Sequence, residues 1–115
     1  MLEKLLIGTD IVEINRFRQL PHIKNKKFYN KIFTESEITN CNKYKDPYPH
    51  FAMRFAGKEA VIKTIKNKIE MKDIEIGYKK SKPFVIILKK KLFVCHISLS
   101  HDREYAIAMI ISENN

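Results

Sequence analysis

Three residues stand out by type and setting: Asp10, Glu59 and Lys63. Glu59 and Lys63 lie four apart in F-A-M-R-F-A-G-K-E-A-V-I-K (51–63). On a helix that spacing puts them one turn apart on one face. Asp10 falls in L-L-I-G-T-D-I-V-E-I (5–14), a mostly apolar, β-branched run broken by Gly8. A carboxylate among such neighbours is costly unless it is paired or bound to a cation. The chemistry such a set can serve is the handling of a cation and of negative charge. Two plainer readings remain open: an ordinary Glu59–Lys63 helix ion pair, and an Asp10 that caps a backbone amide at a strand end.

These residues need a strand and a helix to position them. The stretch 51–69 reads as the core of a long helix with a buried stripe at Phe51, Phe55, Ile62, Ile65 and Ile69. Ala52, Ala56 and Ala60 run beside it, where small side chains let another backbone or a ligand come close. Lys58 projects near the middle of the apolar stripe, so it must snorkel out or find a partner. The helix is expected to begin near Pro47 and Pro49 and to end around Lys68. Residues 5–14 read as the strand, and Asn15 as the N-cap of a short helix over 16–20 that stops at Pro21. A second helical piece is expected through 22–32. Thr34-Glu35-Ser36-Glu37 is a capping box that opens a helix to about Asn42. Beyond the long helix the character changes to strands at 73–78, 83–88, 92–100 and 105–112, with turns at 79–82, 89–91 and 101–103. In 92–100, alternation puts Val94, His96, Ser98 and Ser100 on one face and Phe93, Cys95, Ile97 and Leu99 on the other. The order is an N-terminal strand, helices including one long central helix, then antiparallel C-terminal strands: an α+β chain.

With 115 residues the chain is expected to form one domain over 1–115, with a modest core. No stretch approaches the ~20 apolar residues of a membrane span, and the N-terminus has no charged-then-apolar leader pattern. Cytoplasmic location is the expectation. Cys41 and Cys95 have no metal-ligand spacing and read as reduced, packed thiols. Twenty-two basic residues against 13 acidic give a net charge of +9, which favours an anionic partner such as nucleic acid, a phosphorylated ligand, an acidic protein or a membrane surface. The lysines recur along the whole chain rather than in a tail, and most read as solvated surface.

The motifs in order carry a resemblance. G-T-D-I-V-E-I-N-R at 8–16, I-F-T-E-S-E at 32–37, R-F-A-G-K-E-A-V-I-K at 54–63, D-I-E-I at 73–76, H-I-S-L-S-H at 96–101 and Y-A-I-A at 105–108 together resemble the holo-acyl-carrier-protein synthases, the small trimeric class of 4′-phosphopantetheinyl transferases. The chain departs from the family pattern at Gly57, where Ala is usual, and at Ser81, where a Gly usually precedes the Lys-Pro of the hairpin.

The resemblance implies transfer of 4′-phosphopantetheine from coenzyme A to a serine of apo-acyl carrier protein, as in fatty acid biosynthesis, with release of adenosine 3′,5′-bisphosphate. It implies Mg²⁺ held by Asp10 and Glu59, carrier docking at Arg16, and a homotrimer with active sites between subunits. The residue types agree. Mg²⁺ prefers one or two carboxylates plus phosphate oxygens and water. Lys63 could reach a phosphate, and Glu59 could take the serine proton. Arg54, Lys58, His96, Ser98 and His101 are further expected contacts to coenzyme A. Arg18, Lys24, Lys26 and Lys27 would extend the docking surface by charge. The competing class is a non-enzymatic basic module binding an acidic protein or nucleic acid. RNP aromatics, a GXXG loop and zinc-finger spacing are all missing, so nucleic acid is not the expected partner.

Overall fold

The computed structural model describes residues 2–89 and 92–113, so the basic turn expected at 89–91 lies partly outside the described residues. Strand β1 (Leu5–Glu13) is followed by helices α1 (Asn15–Arg18), α2 (Lys26–Ile32), α3 (Glu35–Cys41) and α4 (Tyr48–Lys63). Four strands follow: β2 (Ile74–Lys79), β3 (Lys82–Ile87), β4 (Cys95–Asp102) and β5 (Tyr105–Glu113). They are antiparallel and form two sheets, β1-β5-β4 and the β2-β3 hairpin. The α+β order read from the sequence is the observed one.

In the three-stranded sheet the registers put Asp10, Ala108 and Leu99 in one row, with Gly8, Ile110 and Ile97 in another. These rows face α4. The opposite face carries Ile7 with Ile111 and His96, Thr9 with Met109 and Ser98, and Ile11 with Ile107 and Ser100. Strand alternation alone fixes this division.

Helix α4 is the hub. Its buried residues are not the stripe read from the sequence. Phe51 is buried, but so are Ala52, Met53, Arg54, Ala56, Gly57, Lys58, Ala60 and Val61, while Phe55 and Ile62 are only partly covered. A helix enclosed on several sides has no single apolar stripe to read. The sheet side requires small residues. A Cβ on Gly8 would fall 2.1 Å from the Ala60 carbonyl oxygen, and one on Gly57 would fall 2.5 Å from Ile76 Cδ1. The departure at Gly57 thus makes room for Ile76.

The helix also stops sooner than expected, at Lys63, and Ile65 and Ile69 lie beyond it. The Thr64 hydroxyl donates to the Val61 carbonyl at 2.8 Å, a local bond that competes with a further turn. Asn15 does not cap α1: Ile14 holds the N-cap position in helical backbone, with no side-chain bond. The expected piece at 22–32 splits into a 3₁₀ turn at His22–Lys24 and α2. The capping box is present as read. Thr34 Oγ1 accepts from Glu37 N at 3.2 Å, and Thr34 N donates to Glu37 Oε1 at 2.9 Å.

The β2–β3 hairpin turns on Lys80 and Ser81, with φ of 51° and 66°. Both sit in the left-handed region that suits glycine. The departure at Ser81 therefore carries a backbone cost of about 1 kcal/mol, part of which a glycine would recover. Ser81→Gly should raise the melting temperature by a few degrees in a calorimetric scan, and an unchanged or lower value would show that the turn is not strained.

Candidate functional site

The three residues singled out first lie where β1 meets α4. Asp10 faces the helix from the middle of β1, next to the Gly8 contact that seats Ala60. Lys63, in the last turn of α4, puts Nζ 3.7 Å from Asp10 Oδ1 and donates to the Thr9 carbonyl at 2.7 Å. Its ion pair is therefore made across the strand–helix junction. Glu59 stands one turn earlier on the same side of α4, partly exposed, and among the described residues its carboxylate makes no hydrogen bond or ion pair. Lys63 and Asp10 thus meet at the junction, and Glu59 lies one helical turn from Lys63. Asp10 and Glu59 are the residues that could hold a metal ion. Among the described residues no group of three or more His, Cys, Asp or Glu side chains is placed to bind one. A sparse pair suits a hard divalent ion that takes its other ligands from phosphate and water.

A second group gathers at the start of α4. His50 stacks on Tyr44, with ring centroids 3.5 Å apart and planes at 15°, and meets the His101 ring edge-on at 6.1 Å. Arg54, one turn along and 2% exposed, donates Nε to the Ile76 carbonyl at 3.2 Å and Nη1 to the His50 carbonyl at 3.4 Å, with its guanidinium over Tyr78. Burial, then the Arg54 and His101 charges, hold the His50 imidazole below its usual range. Sequence reading found Arg54 and His101 but not Tyr44, His50 or Tyr78. Their only sequence signal is a scatter of aromatics before the helix and in the hairpin.

The other expected site residues fall elsewhere. Lys58, expected to reach coenzyme A, is instead fully buried. Its Nζ donates to Glu37 Oε1 at 2.6 Å, to the Ile32 carbonyl at 2.7 Å and to the Met71 carbonyl at 3.1 Å. Three acceptors exhaust an ammonium's three protons and leave none for a ligand. Burial holds its ammonium below the usual lysine range, and the Glu37 carboxylate offsets only part of that shift. The sequence showed Glu37 only as half of a capping box. His96 and Ser98 project from the outer face of the sheet, in the rows of Ile111 and Met109, and do not face Asp10. Arg16 is exposed on α1, its guanidinium 5.5 Å from the centre of the Phe55 ring. Arg18 is held by Asp46 through two contacts of 2.9 and 2.8 Å, which offsets part of its charge.

The family model of the 4′-phosphopantetheinyl transferase superfamily matches residues 6–110. The chain belongs to that superfamily. Within it, a holo-[acyl-carrier-protein] synthase from Chlamydia felis is 44% identical over 115 residues, covering 92% of this chain and 94% of the relative. One from Thermodesulfovibrio yellowstonii is 40% identical over 110 residues, covering 91% and 95%. Among solved structures, the Helicobacter pylori synthase in complex with coenzyme A superposes with a TM-score of 0.80 at 31% identity, covering 94% of this chain and all of that one. Two of the motifs that gave the resemblance, G-T-D and K-E-A-V-I-K, meet at the β1–α4 junction.

Lys63 separates a working junction from a decorative one. A mere surface pair is worth ~0.2–0.5 kcal/mol. A charge placed to stabilise a breaking phosphate bond is worth ~2.7–4 kcal/mol, or about 10²–10³ in kcat. Lys63→Met keeps the stem and deletes the charge. Steady-state kinetics at saturating substrates should show the larger loss; a kcat within about threefold of wild type would reduce Lys63 to a surface partner.

Proposed function

We propose that the protein transfers the 4′-phosphopantetheinyl group of coenzyme A to a serine hydroxyl of an apo-acyl carrier protein, with the β1–α4 junction as the reacting centre. The observation that carries this reading is the approach of Lys63 Nζ to Asp10 Oδ1 at 3.7 Å, which unites two separate family motifs. The serine oxygen forms a bond to the phosphorus bearing pantetheine. The bond from that phosphorus to the bridging oxygen of the diphosphate breaks, and adenosine 3′,5′-bisphosphate leaves. Negative charge grows on the bridging oxygen, so positioned cations do most of the work.

Each residue then has a role. Asp10 and Glu59 would hold Mg²⁺, which when bound supplies further positive charge to the diphosphate. The ammonium of Lys63 neutralises the leaving phosphate. Glu59, its carboxylate without a partner among the described residues, takes the serine proton. Arg16, exposed on α1, attracts the acidic carrier, and the exposed Lys24 and Lys27 add to the basic charge.

His101, with His50 and the buried Arg54 behind it, sits at the opposite end of α4 from Lys63. From His50 to Glu59 is nine residues, or about 13 Å of helix rise. The outer sheet face leaves Ile7, Ile11, Ile107 and Met109 exposed at 66%, 60%, 46% and 46%, beside His96 and Ser98. An apolar patch of this kind favours assembly. Both features favour a homotrimer in which one subunit's carboxylates and another's His101 end, with His96 and Ser98, serve the same coenzyme A. No helix of the described residues is long and apolar enough to cross a membrane. Cytoplasmic action suits Cys41, an inert thiol that burial pushes up to about 12.

Incubated with coenzyme A, Mg²⁺ and an apo-carrier protein, the wild type should add the mass of one phosphopantetheinyl group to the carrier. Asp10→Ala and Glu59→Ala should abolish the addition while keeping wild-type circular dichroism. An unmodified carrier with the wild type, or Mg²⁺-dependent transfer by either variant, refutes the assignment.

Docking is tested separately. Arg16→Ala should raise KM for the carrier several-fold and leave KM for coenzyme A nearly unchanged. Wild-type KM for the carrier should rise with salt, because exposed charges are screened beyond ~8 Å at physiological ionic strength. A defect confined to coenzyme A binding would place Arg16 elsewhere.

A further inference from the structure

Lys58 is next in sequence to Glu59 and points the other way, into the protein. Its ammonium joins four pieces of chain. It donates to the end of α2 at the Ile32 carbonyl, to α3 at Glu37 Oε1, and to the 3₁₀ turn Met71–Asp73 at the Met71 carbonyl. Glu37 carries the connection to the hairpin, because its Oε2 accepts from Ile76 N at 2.7 Å. Thr34, bonded to Glu37 on one side, donates Oγ1 to Glu75 Oε1 at 2.7 Å on the other. Lys58 and Glu37 are 0% and 1% exposed. On the far side of α4, the carbonyl of Ala60 rests against Gly8, which sets the distance between helix and strand. That contact does not fix the rotation of α4 about its axis. The bonds of Lys58 oppose such a turn, which would drag the ammonium off three acceptors at once, and they act beside the Arg54 bond to the Ile76 carbonyl and the Lys63 bond to the Thr9 carbonyl. The rotation decides where Glu59 and Lys63 point.

We infer that Lys58 and Glu37 are positioning residues for the transfer: their buried pair fixes the rotation of α4, and with it the aim of Glu59 and Lys63 at the β1 junction. This rests on the transferase reading above. Both charges are sealed from solvent, so neither touches coenzyme A or the carrier. Their effect must appear in turnover rather than in substrate binding. A small misplacement of reacting groups by a distant change can cost up to about 10²-fold in rate.

The test is the double substitution Lys58→Met with Glu37→Gln. Removing one partner would strand a buried charge, whereas removing both charges together is often tolerated by the fold. The double variant should melt cooperatively and keep KM for coenzyme A and for the carrier within about twofold. Its kcat should fall at least tenfold. Thr34→Val is the comparison: it removes the side-chain half of the α3 cap and the Glu75 bond but keeps all three donor bonds of Lys58, and should keep kcat within about threefold. If the double variant does not fold, Lys58→Arg is read by the same criteria, because it keeps the buried charge but its planar fork cannot reproduce three converging bonds. A folded variant with kcat within threefold of wild type overturns the inference. So does an equal kcat loss in Thr34→Val, which would mark the effect as general loosening. Absence of transfer by the wild type in the same assay would instead refute the transferase reading itself.

Discussion

The buried ion pair between Lys58 and Glu37 is the constraint on which the rest of the structure depends. Two charges taken out of water are expensive, and such a pair persists only when every donor and acceptor is satisfied. Here the ammonium has three acceptors and the carboxylate accepts from Lys58, Thr34 N and Ile76 N. Satisfying these groups requires α2, α3, the Met71 turn and the hairpin to close around one side of α4. The other side is closed by backbone contact at Gly8. A helix held in this way can present a short run of polar residues in a chosen direction. Glu59 and Lys63 occupy that run.

Charge is distributed in three tiers. The deepest is the neutral pair just described. The next is the half-buried junction, where Asp10 and Lys63 offset each other and Glu59 remains available. The outermost is the basic surface, with Arg16 and the lysines of the 22–31 segment exposed and Arg18 tied to Asp46. A substrate carrying a diphosphate and a partner carrying surface carboxylates would meet the second and third tiers. The net charge of +9 is therefore mostly surface, as the scattered lysines suggested.

Much of this was legible in the sequence, and the exceptions have physical causes. The strand at 5–14, the capping box and the C-terminal strands follow from local rules of periodicity and side-chain bonding, and they appear within a few residues of where those rules put them. Asp10 stood out because a charge in an apolar strand is unusual, and Lys63 because its spacing put it one helical turn from Glu59; the structure gives its ion pair to Asp10 instead. The end of α4 was not legible, because the apolar spacing continues to Ile65 and Ile69 while the helix stops at Lys63, where the Thr64 hydroxyl turns back on Val61. The role of Lys58 was visible only as an anomaly. Its partner lies 21 residues away, and nothing in the spacing of the two names the contact. The His50–His101 group was hidden for the same reason, since a strand end and a helix start meet only in the folded chain.

The central claim is that Asp10 and Glu59 form one cation site at the β1–α4 junction beside Lys63. Its most direct measurement is anomalous diffraction at the manganese edge from crystals grown with coenzyme A and Mn²⁺ in place of Mg²⁺. The account predicts one peak per junction, within bonding distance of both carboxylates and of the coenzyme A diphosphate. A diphosphate bound at the junction with no peak there, or a peak that neither Asp10 nor Glu59 reaches, would contradict it.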